Sequence, residues 1–225
     1  MKFKDKKVII FDLDGTLIDS APDLALAVNH MLTSVGHANF DESTIIDSWV
    51  GNGAFVLIQR ALSGSRTIDE HLDSDFVAKA LDIFLKFYAQ NLCVKTALYP
   101  NVLSTLHALK SKGYRLAIVT NKPFAFVEPI LKSLELIDLF ESFIGGDSLA
   151  EKKPSPLPLL HVCETLKVSV EECVMVGDSL NDILAGNACD MQTIGVTYGY
   201  NYGESIEVHN PSVVFDDFGE ILTVL

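Results

Sequence analysis

Four short segments of the chain gather residue types able to handle a phosphoryl group. The first is Asp12-Leu13-Asp14-Gly15-Thr16, directly after the apolar block Val8-Ile9-Ile10-Phe11. If that block is a strand, alternate side chains share a face, and Asp12 and Asp14 project together from its carboxyl end. Two carboxylates that close repel unless a cation or a shared proton intervenes, and an oxygen-only ligand set suits Mg²⁺. Gly15 lets the backbone approach a ligand and present N–H groups to an anion. The competing reading is an Asp-rich turn that caps the next stretch of chain.

The second segment, Val119-Thr120-Asn121-Lys122, closes another apolar run. It offers a hydroxyl followed by backbone N–H groups, a cradle for phosphate at a strand–helix junction; helix capping by Thr120 or Asn121 is the alternative. The third, Lys152-Lys153-Pro154-Ser155-Pro156, reads either as a solvated basic turn or as a device for aiming Lys153, since a residue before proline is confined to extended backbone. The fourth, Gly177-Asp178-Ser179-Leu180-Asn181-Asp182, puts Asp178 at a strand end and Asp182 one helical turn later, or else caps a helix with Ser179 or Asp178. Each segment alone is ambiguous. Together they deliver carboxylates, a hydroxyl, N–H groups and an ammonium to the strand ends where open parallel sheets bind ligands, an inventory that holds a divalent cation and one phosphoryl group.

The elements that must position these residues are legible around them. Val8–Phe11, Leu116–Val119 and Cys173–Val176 are β-branched or apolar runs of the kind buried on both faces, with weaker strand signals at Phe143-Ile144, Thr193–Val196 and Val213–Phe215. Helical patterns lie between them: one marked by Val102, Leu103, Leu106 and Leu109 and stopped by Gly113, then about Pro123–Leu134, Leu157–Leu166 and Ser179–Ala188. Strands alternating with helices call for a parallel sheet with right-handed crossovers. From about Ser20 to Leu98 there is no convincing strand, but Val77, Leu81, Phe84, Leu85, Tyr88 and Leu92 form a helical stripe, and Pro22 and Asp23 suit a first helical turn. The expected layout is an α/β, Rossmann-like parallel core (1–19 and 99–225) with a small α-helical cap (20–98) inserted after the first strand.

Composition limits the partners. Of the 225 residues 48% are hydrophobic, enough for a sizeable core, and 17 Lys and Arg against 30 Asp and Glu give a net charge of −13. Such a surface repels nucleic acid and anionic membranes, leaving a small phosphorylated metabolite as the expected partner. Cys93, Cys163, Cys173 and Cys189 show no paired spacing and read as reduced thiols. The start Met1-Lys2-Phe3-Lys4 is basic like that of a signal peptide, but the apolar run behind it is cut by Asp12 and Asp14. No stretch approaches the about 20 apolar residues of a membrane span, so the expected address is cytoplasmic.

The segments Asp12-Leu13-Asp14-Gly15-Thr16, Thr120, Lys153-Pro154 and Gly177-Asp178 with Asp182 resemble, in order, the motifs of the haloacid dehalogenase superfamily of phosphotransferases. The resemblance implies that Asp12 is the nucleophile and Asp14 the general acid/base. It also implies that Mg²⁺ is held by Asp12, the Asp14 backbone carbonyl, Asp178 and Asp182. Gly15, Thr16, Thr120, Asn121 and Lys153 would then contact the phosphoryl group, with Lys153 also easing the carboxylates' repulsion. Within the superfamily the chain is most similar to bacterial phosphoglycolate phosphatases, through Asp12–Pro22, Trp49-Val50-Gly51-Asn52-Gly53, Val119–Pro123, Gly145-Gly146-Asp147 and Thr197–Asn201. That similarity makes Gly51, Asn52 and Gly53 a substrate-specificity loop, where the residues alone allow a plain turn. The sequence departs from the family at Ala185–Asp190, which lacks a usual basic residue and carries Asp190 in place of Gly. A sugar-phosphate phosphatase, pyrophosphatase or hexose-phosphate mutase on the same scaffold is the alternative, and a non-catalytic binding module a more distant one; a monomer or homodimer is expected.

Overall fold

Apolar runs without polar interruption form stable strands when both faces can be covered, and that is their fate here. The computed structural model describes residues 3–225, so Met1 and Lys2 lie outside the described residues. The strands are β1 (Val8–Phe11), β2 (Ile18–Asp19), β3 (Ala97–Leu98), β4 (Arg115–Val119), β5 (Ser142–Ile144), β6 (Cys173–Gly177), β7 (Gln192–Val196) and β8 (Val213–Phe215). Six of them make one parallel sheet in the order β5-β4-β1-β6-β7-β8. Period-2 alternation divides its core in two. Ile9, Phe11, Leu116, Ile118, Val174 and Val176 pack on one face; Val8, Ile10, Ala117, Val119, Cys173 and Met175 pack on the other. The order reverses direction at β1, which puts β1 between β4 and β6 and makes its carboxyl end the place where a crevice opens.

The helices are α1 (Ala21–Ser34), α2 (Glu42–Trp49), α3 (Ala54–Ser63), α4 (Ser74–Gln90), α5 (Val102–Ser111), α6 (Phe124–Ser133), α7 (Leu157–Leu166) and α8 (Leu180–Asn187). Helices α5 and α6 cover the first face, and α7 and α8 the second. Gly113 ends the turn after α5 at φ +89°, its N–H donating to Lys110 O (2.9 Å). Asp190 sits at φ +57°, in the left-handed region where a glycine is strain-free. None of the helices among the described residues is long and apolar enough to cross a membrane.

Between β2 and β3 lie the four helices α1–α4, with α1 packed against α4. Helix α4 is capped by Asp73, which accepts from the Phe76 N–H (2.8 Å), and it buries Val77, Ala80, Phe84 and Tyr88. The expected stripe needs correcting at its end, since the helix stops at Gln90 and Leu92 lies beyond it. A second correction is β3, inside the stretch that shows no strand signal. Ile18 pairs with Leu98 and Asp19 with Ala97, antiparallel; two residues are too few to show a period.

Asp23 shows how the two ends of the insertion are held together. Rather than serving only the α1 dipole, its buried carboxylate accepts from the Lys95 N–H (2.9 and 3.0 Å) and from the Thr96 N–H (2.9 Å) and hydroxyl (2.7 Å). The start of α1 is thereby stitched to the chain returning into β3. Asp23→Ala strips these N–H groups of their acceptor, and a buried unpaired donor costs about 1–3 kcal/mol. We expect Asp23→Ala to lower the unfolding free energy by about 2–4 kcal/mol, read as a lower urea midpoint, with Asp23→Asn losing less.

Candidate active site

The Asp12 N–H donates to Val176 O (2.9 Å), so the ladder between β1 and β6 reaches one residue past the strand and fixes where Asp12 begins. Gly15 then turns the chain back at φ +87°, its N–H donating to Ile18 O (2.9 Å). A side chain at Gly15 or at Gly199 would collide with the Asp178 carboxylate, so these two glycines leave the slot that Asp178 fills. In that slot Asp178 accepts from the Thr16 hydroxyl (2.7 Å) and the Tyr200 N–H (2.7 Å). The Thr16 hydroxyl thus orients the Asp178 carboxylate.

Gly177 makes equivalent room for Asp182, whose atoms a side chain there would overlap. Asp182 Oδ2 accepts from the Ser179 N–H (3.0 Å) and hydroxyl (2.8 Å), closing a capping box at the start of α8. Its other oxygen accepts from Lys153 Nζ (2.6 Å). Capping and site chemistry, alternatives in the sequence, are divided between the two oxygens of one carboxylate. Lys153 is 1% exposed, no solvated turn. Its ammonium also donates to Val119 O (2.6 Å) and pairs with Asp12 Oδ1 at 2.8 Å. Burial alone would lower the Lys153 pKa, but Asp12 and Asp182 outweigh it and hold the ammonium above its ordinary value.

The Asp14 carboxylate stands apart from this group. It accepts from the Ser20 hydroxyl and from Lys122 Nζ (2.9 Å), and Lys122 also donates to the Tyr88 hydroxyl (2.8 Å) at the far end of α4. Both Lys122 and Tyr88 are buried. Burial, partly opposed by Lys122, pushes the Tyr88 phenol up to about 12, so it stays protonated. From sequence both residues are named, but neither side chain is given a role. The available signal is a Tyr in a stripe of Leu and Phe, because a buried hydroxyl needs a partner.

Helix capping by Thr120 or Asn121 is not what the structure contains. Helix α6 begins at Phe124, and its N–H donates to Asp147 Oδ1 (2.7 Å). Thr120 Oγ1 accepts from the Lys122 N–H (3.2 Å), and Asn121 Nδ2 donates to Lys153 O (3.0 Å). Thr120, Asn121 and Lys122 line one side of a chamber of about 520 Å³, part of it open to solvent, with Asp12 and Asp14 beside them. The facing wall comes from the inserted helices and their loop. Gly51 and Gly53 reach that wall; Asn52 does not, and its carbonyl accepts from Lys152 Nζ (2.8 Å). A side chain at Gly51 would come within 2.7 Å of the Tyr202 hydroxyl, and Gly51 O accepts from Asn181 Nδ2 (3.4 Å).

Carboxylate oxygens of Asp12, Asp178 and Asp182 lie within 4.8 Å of one another. The Asp14 carboxylate is not among them, so any share it has in a cation rests on its backbone carbonyl. Three carboxylates facing one ammonium leave two negative charges, which one divalent cation neutralises. Asp12 Oδ1 is buried without a hydrogen-bond donor, its contact with Lys153 being off-line for one. Burial pushes the Asp12 carboxyl up to about 7 despite Lys153, and burial with Asp182 and Asp12 raises Asp178 well above the carboxylate range. The donor set is all oxygen and short of positive charge, so it fits a hard divalent cation.

The family model for haloacid dehalogenase-like hydrolases matches residues 6–190. The sequence is 55% identical over 225 residues to the phosphoglycolate phosphatase of Colwellia psychrerythraea, covering 100% of this chain and 99% of that one. It is 50% identical over 222 residues to the phosphoglycolate phosphatase of Psychrobacter arcticus, covering 98% and 96%. Among solved structures, that of a predicted phosphoglycolate phosphatase from Haemophilus somnus aligns with a TM-score of 0.90 at 41% identity, over 98% of both chains.

The raised carboxyl makes stability sensitive to pH in a definite direction. The folded Asp12 keeps its proton to about pH 7, whereas an unfolded Asp loses it near ~4. The folded state therefore binds more protons in that window, and stability falls as pH rises through it. In chelator, the change in Tm from about pH 5 to 7.5 should be more negative for the wild-type protein than for Asp12→Asn; added Mg²⁺ should remove the difference. Equal slopes would mean that Asp12 is ionised throughout.

Proposed function

The chain belongs to the haloacid dehalogenase-like hydrolases, and from that premise we propose that it is a Mg²⁺-dependent phosphatase converting 2-phosphoglycolate to glycolate and inorganic phosphate. The observation that carries the reading is the convergence of Lys153, Asp178 and Asp182 on Asp12, which lines a chamber whose opposite wall is the inserted helices. The full-length relatives named for that substrate support the choice of phosphate ester, as does a chamber of modest size walled largely by apolar side chains.

In this reading residues 20–98 are a cap over a core of 1–19 and 99–225. Asp12, the Asp14 backbone carbonyl, Asp178 and Asp182 would hold the cation, which when bound offsets charge on the transferring group. The Asp12 carboxylate attacks phosphorus, forming an aspartyl phosphate as the P–O bond to the substrate breaks. Asp14 gives a proton to the departing oxygen. It then takes one from the water that attacks the phosphorus, releasing phosphate and restoring Asp12, acid–base work worth about 10²–10⁴-fold. The Thr120 hydroxyl and the Thr16 and Asn121 N–H groups hold phosphoryl oxygens, Lys153 offsets the negative charge beside them, and the Thr16 hydroxyl keeps Asp178 aimed. Splitting one displacement into two is what a carboxylate nucleophile contributes. Four free cysteines, with the Cys163 and Cys173 sulfurs 3.6 Å apart and unbonded, suit a reducing compartment such as the cytoplasm.

The test is kcat/KM with Mg²⁺ over a panel of 2-phosphoglycolate, hexose phosphates, nucleotides and pyrophosphate. We expect 2-phosphoglycolate to lead by about 100-fold or more, and chelator to silence turnover until Mg²⁺ is returned. A flat or sugar-leaning profile would reject the substrate and keep the chemistry. Asp12→Asn should abolish turnover with a cooperative unfolding transition retained; residual phosphatase activity in it would remove Asp12 as nucleophile.

A further inference from the structure

Two buried donors face the chamber with no acceptor. An ammonium has three N–H groups, and Lys122 uses two, on Asp14 Oδ1 and the Tyr88 hydroxyl. Tyr88 accepts that bond, and among the described residues its own proton finds no acceptor. Both side chains line the chamber, and Lys122 and Tyr88 are 5% and 1% exposed. Among the described residues of the lining, Lys122 is also the one cation. Lys153 is already engaged by Asp12, Asp182 and Val119 O. The wall around Tyr88 is otherwise apolar, with Leu24, Leu57, Phe84 and Phe126.

We infer that Lys122 Nζ and the Tyr88 hydroxyl form the subsite for the substrate's carboxylate, and that this pair selects a two-carbon phospho-acid over uncharged phosphate esters. The inference rests on the phosphatase reading and adds to it the residues that recognise the end of the molecule that does not react. Position supports the assignment. Asp14, which handles the ester oxygen in that reading, is 2.9 Å from Lys122 Nζ. In 2-phosphoglycolate one carbon separates the ester oxygen from the carboxylate, so a substrate with that oxygen at Asp14 carries its carboxylate to the group bonded to Asp14. The hydroxyls of a sugar phosphate would extend past this point onto apolar wall.

The selectivity comes from what an uncharged ester leaves undone. A carboxylate meets both donors and the charge; an ester without one buries two polar groups unpaired, the situation in which sites discriminate most strongly. Tyr88 comes from α4 and Lys122 from the end of β4, so the subsite is whole only when the inserted helices and the sheet are together. The Tyr88 phenol, held protonated by burial, remains a donor across the working pH range.

The experiment compares kcat/KM for 2-phosphoglycolate and for 2-hydroxyethyl phosphate, which replaces the carboxylate with a neutral CH₂OH. Wild-type protein should prefer 2-phosphoglycolate by about 100-fold or more. Tyr88→Phe keeps the ring and the Lys122–Asp14 pair, and should cut that ratio about tenfold, mainly through KM for 2-phosphoglycolate. Lys122→Met should slow both substrates, because Asp14 loses its partner, and should also erase most of the preference; Lys122→Arg should restore part of it. A ratio unchanged in Tyr88→Phe and in Lys122→Met would overturn the inference while leaving the phosphatase reading intact. A wild-type protein with no preference for 2-phosphoglycolate would overturn both the inference and the substrate assignment.

Discussion

A single buried ammonium sets the geometry on which the site depends. Lys153 has three acceptors within reach, the Val119 carbonyl at the end of β4, Asp12 after β1, and Asp182 in α8. Burying a charge is costly unless it is paired and hydrogen-bonded, and here Val119 O and Asp182 accept hydrogen bonds while Asp12 pairs with the charge. The sheet order makes this possible: with β1 between β4 and β6, one side chain can reach the carboxyl ends of adjacent strands. Lys153 itself arrives on the loop between β5 and α7, so it acts as a pin set from outside the sheet. Without it, Asp12, Asp178 and Asp182 would crowd together with no positive charge.

The contacts between core and insertion use the same few segments. Lys122 and Lys152, each beside a residue of the central site, reach Tyr88 and the Asn52 carbonyl. Asn181, one residue before Asp182, donates to Gly51 O. Next to β2, Tyr200 comes directly after the glycine that makes room for Asp178; its N–H holds Asp178, and its hydroxyl donates to Asp19 (2.5 Å) and accepts from the Ala21 N–H (3.2 Å) at the start of α1. Each segment that shapes the carboxylate cluster thus also touches the insertion, so seating the helices and aligning the cluster are coupled through backbone neighbours one or two residues apart.

How much of this could be read in the sequence depends on where the information lies. Strands β1, β4 and β6 are apolar on both faces, and α7 has the bounds its apolar pattern marks, because burial there leaves a local trace. The four chemistry-bearing segments are legible for a similar reason: each sits at or near the end of such a run or aims a charge through a proline. Three features left no local trace. The β2–β3 ladder is two residues long. The Thr16 hydroxyl finds its acceptor in Asp178, far along the chain. Lys122 and Tyr88 meet across the boundary between insertion and core, and in sequence one reads as the end of a strand–helix junction and the other as one more apolar position in a helical stripe. Tertiary burial, which periodicity does not report, gave each its partner.

The buried polar atoms that find no hydrogen bond carry the same division. Among the described residues they are Asp12 Oδ1, Asn121 Oδ1, Asn52 Oδ1, Arg60 Nε and the Tyr202 hydroxyl, with His209 Nε2 apart from them. The first five sit in the carboxylate cluster or in the segments that seat the inserted helices: Asn52 next to Gly51 and Gly53, and Tyr202 against Gly51 with the Arg60 guanidinium 5.2 Å above its ring. Each such atom costs about 1–3 kcal/mol when water is excluded, so the cost is concentrated at one seam, while the sheet's two apolar faces bear none of it. A seam with unmet polar groups is the part of a fold that opens most readily. It also gains most from whatever supplies the missing partners. A ligand that supplied those partners would thereby also favour the seating of the helices.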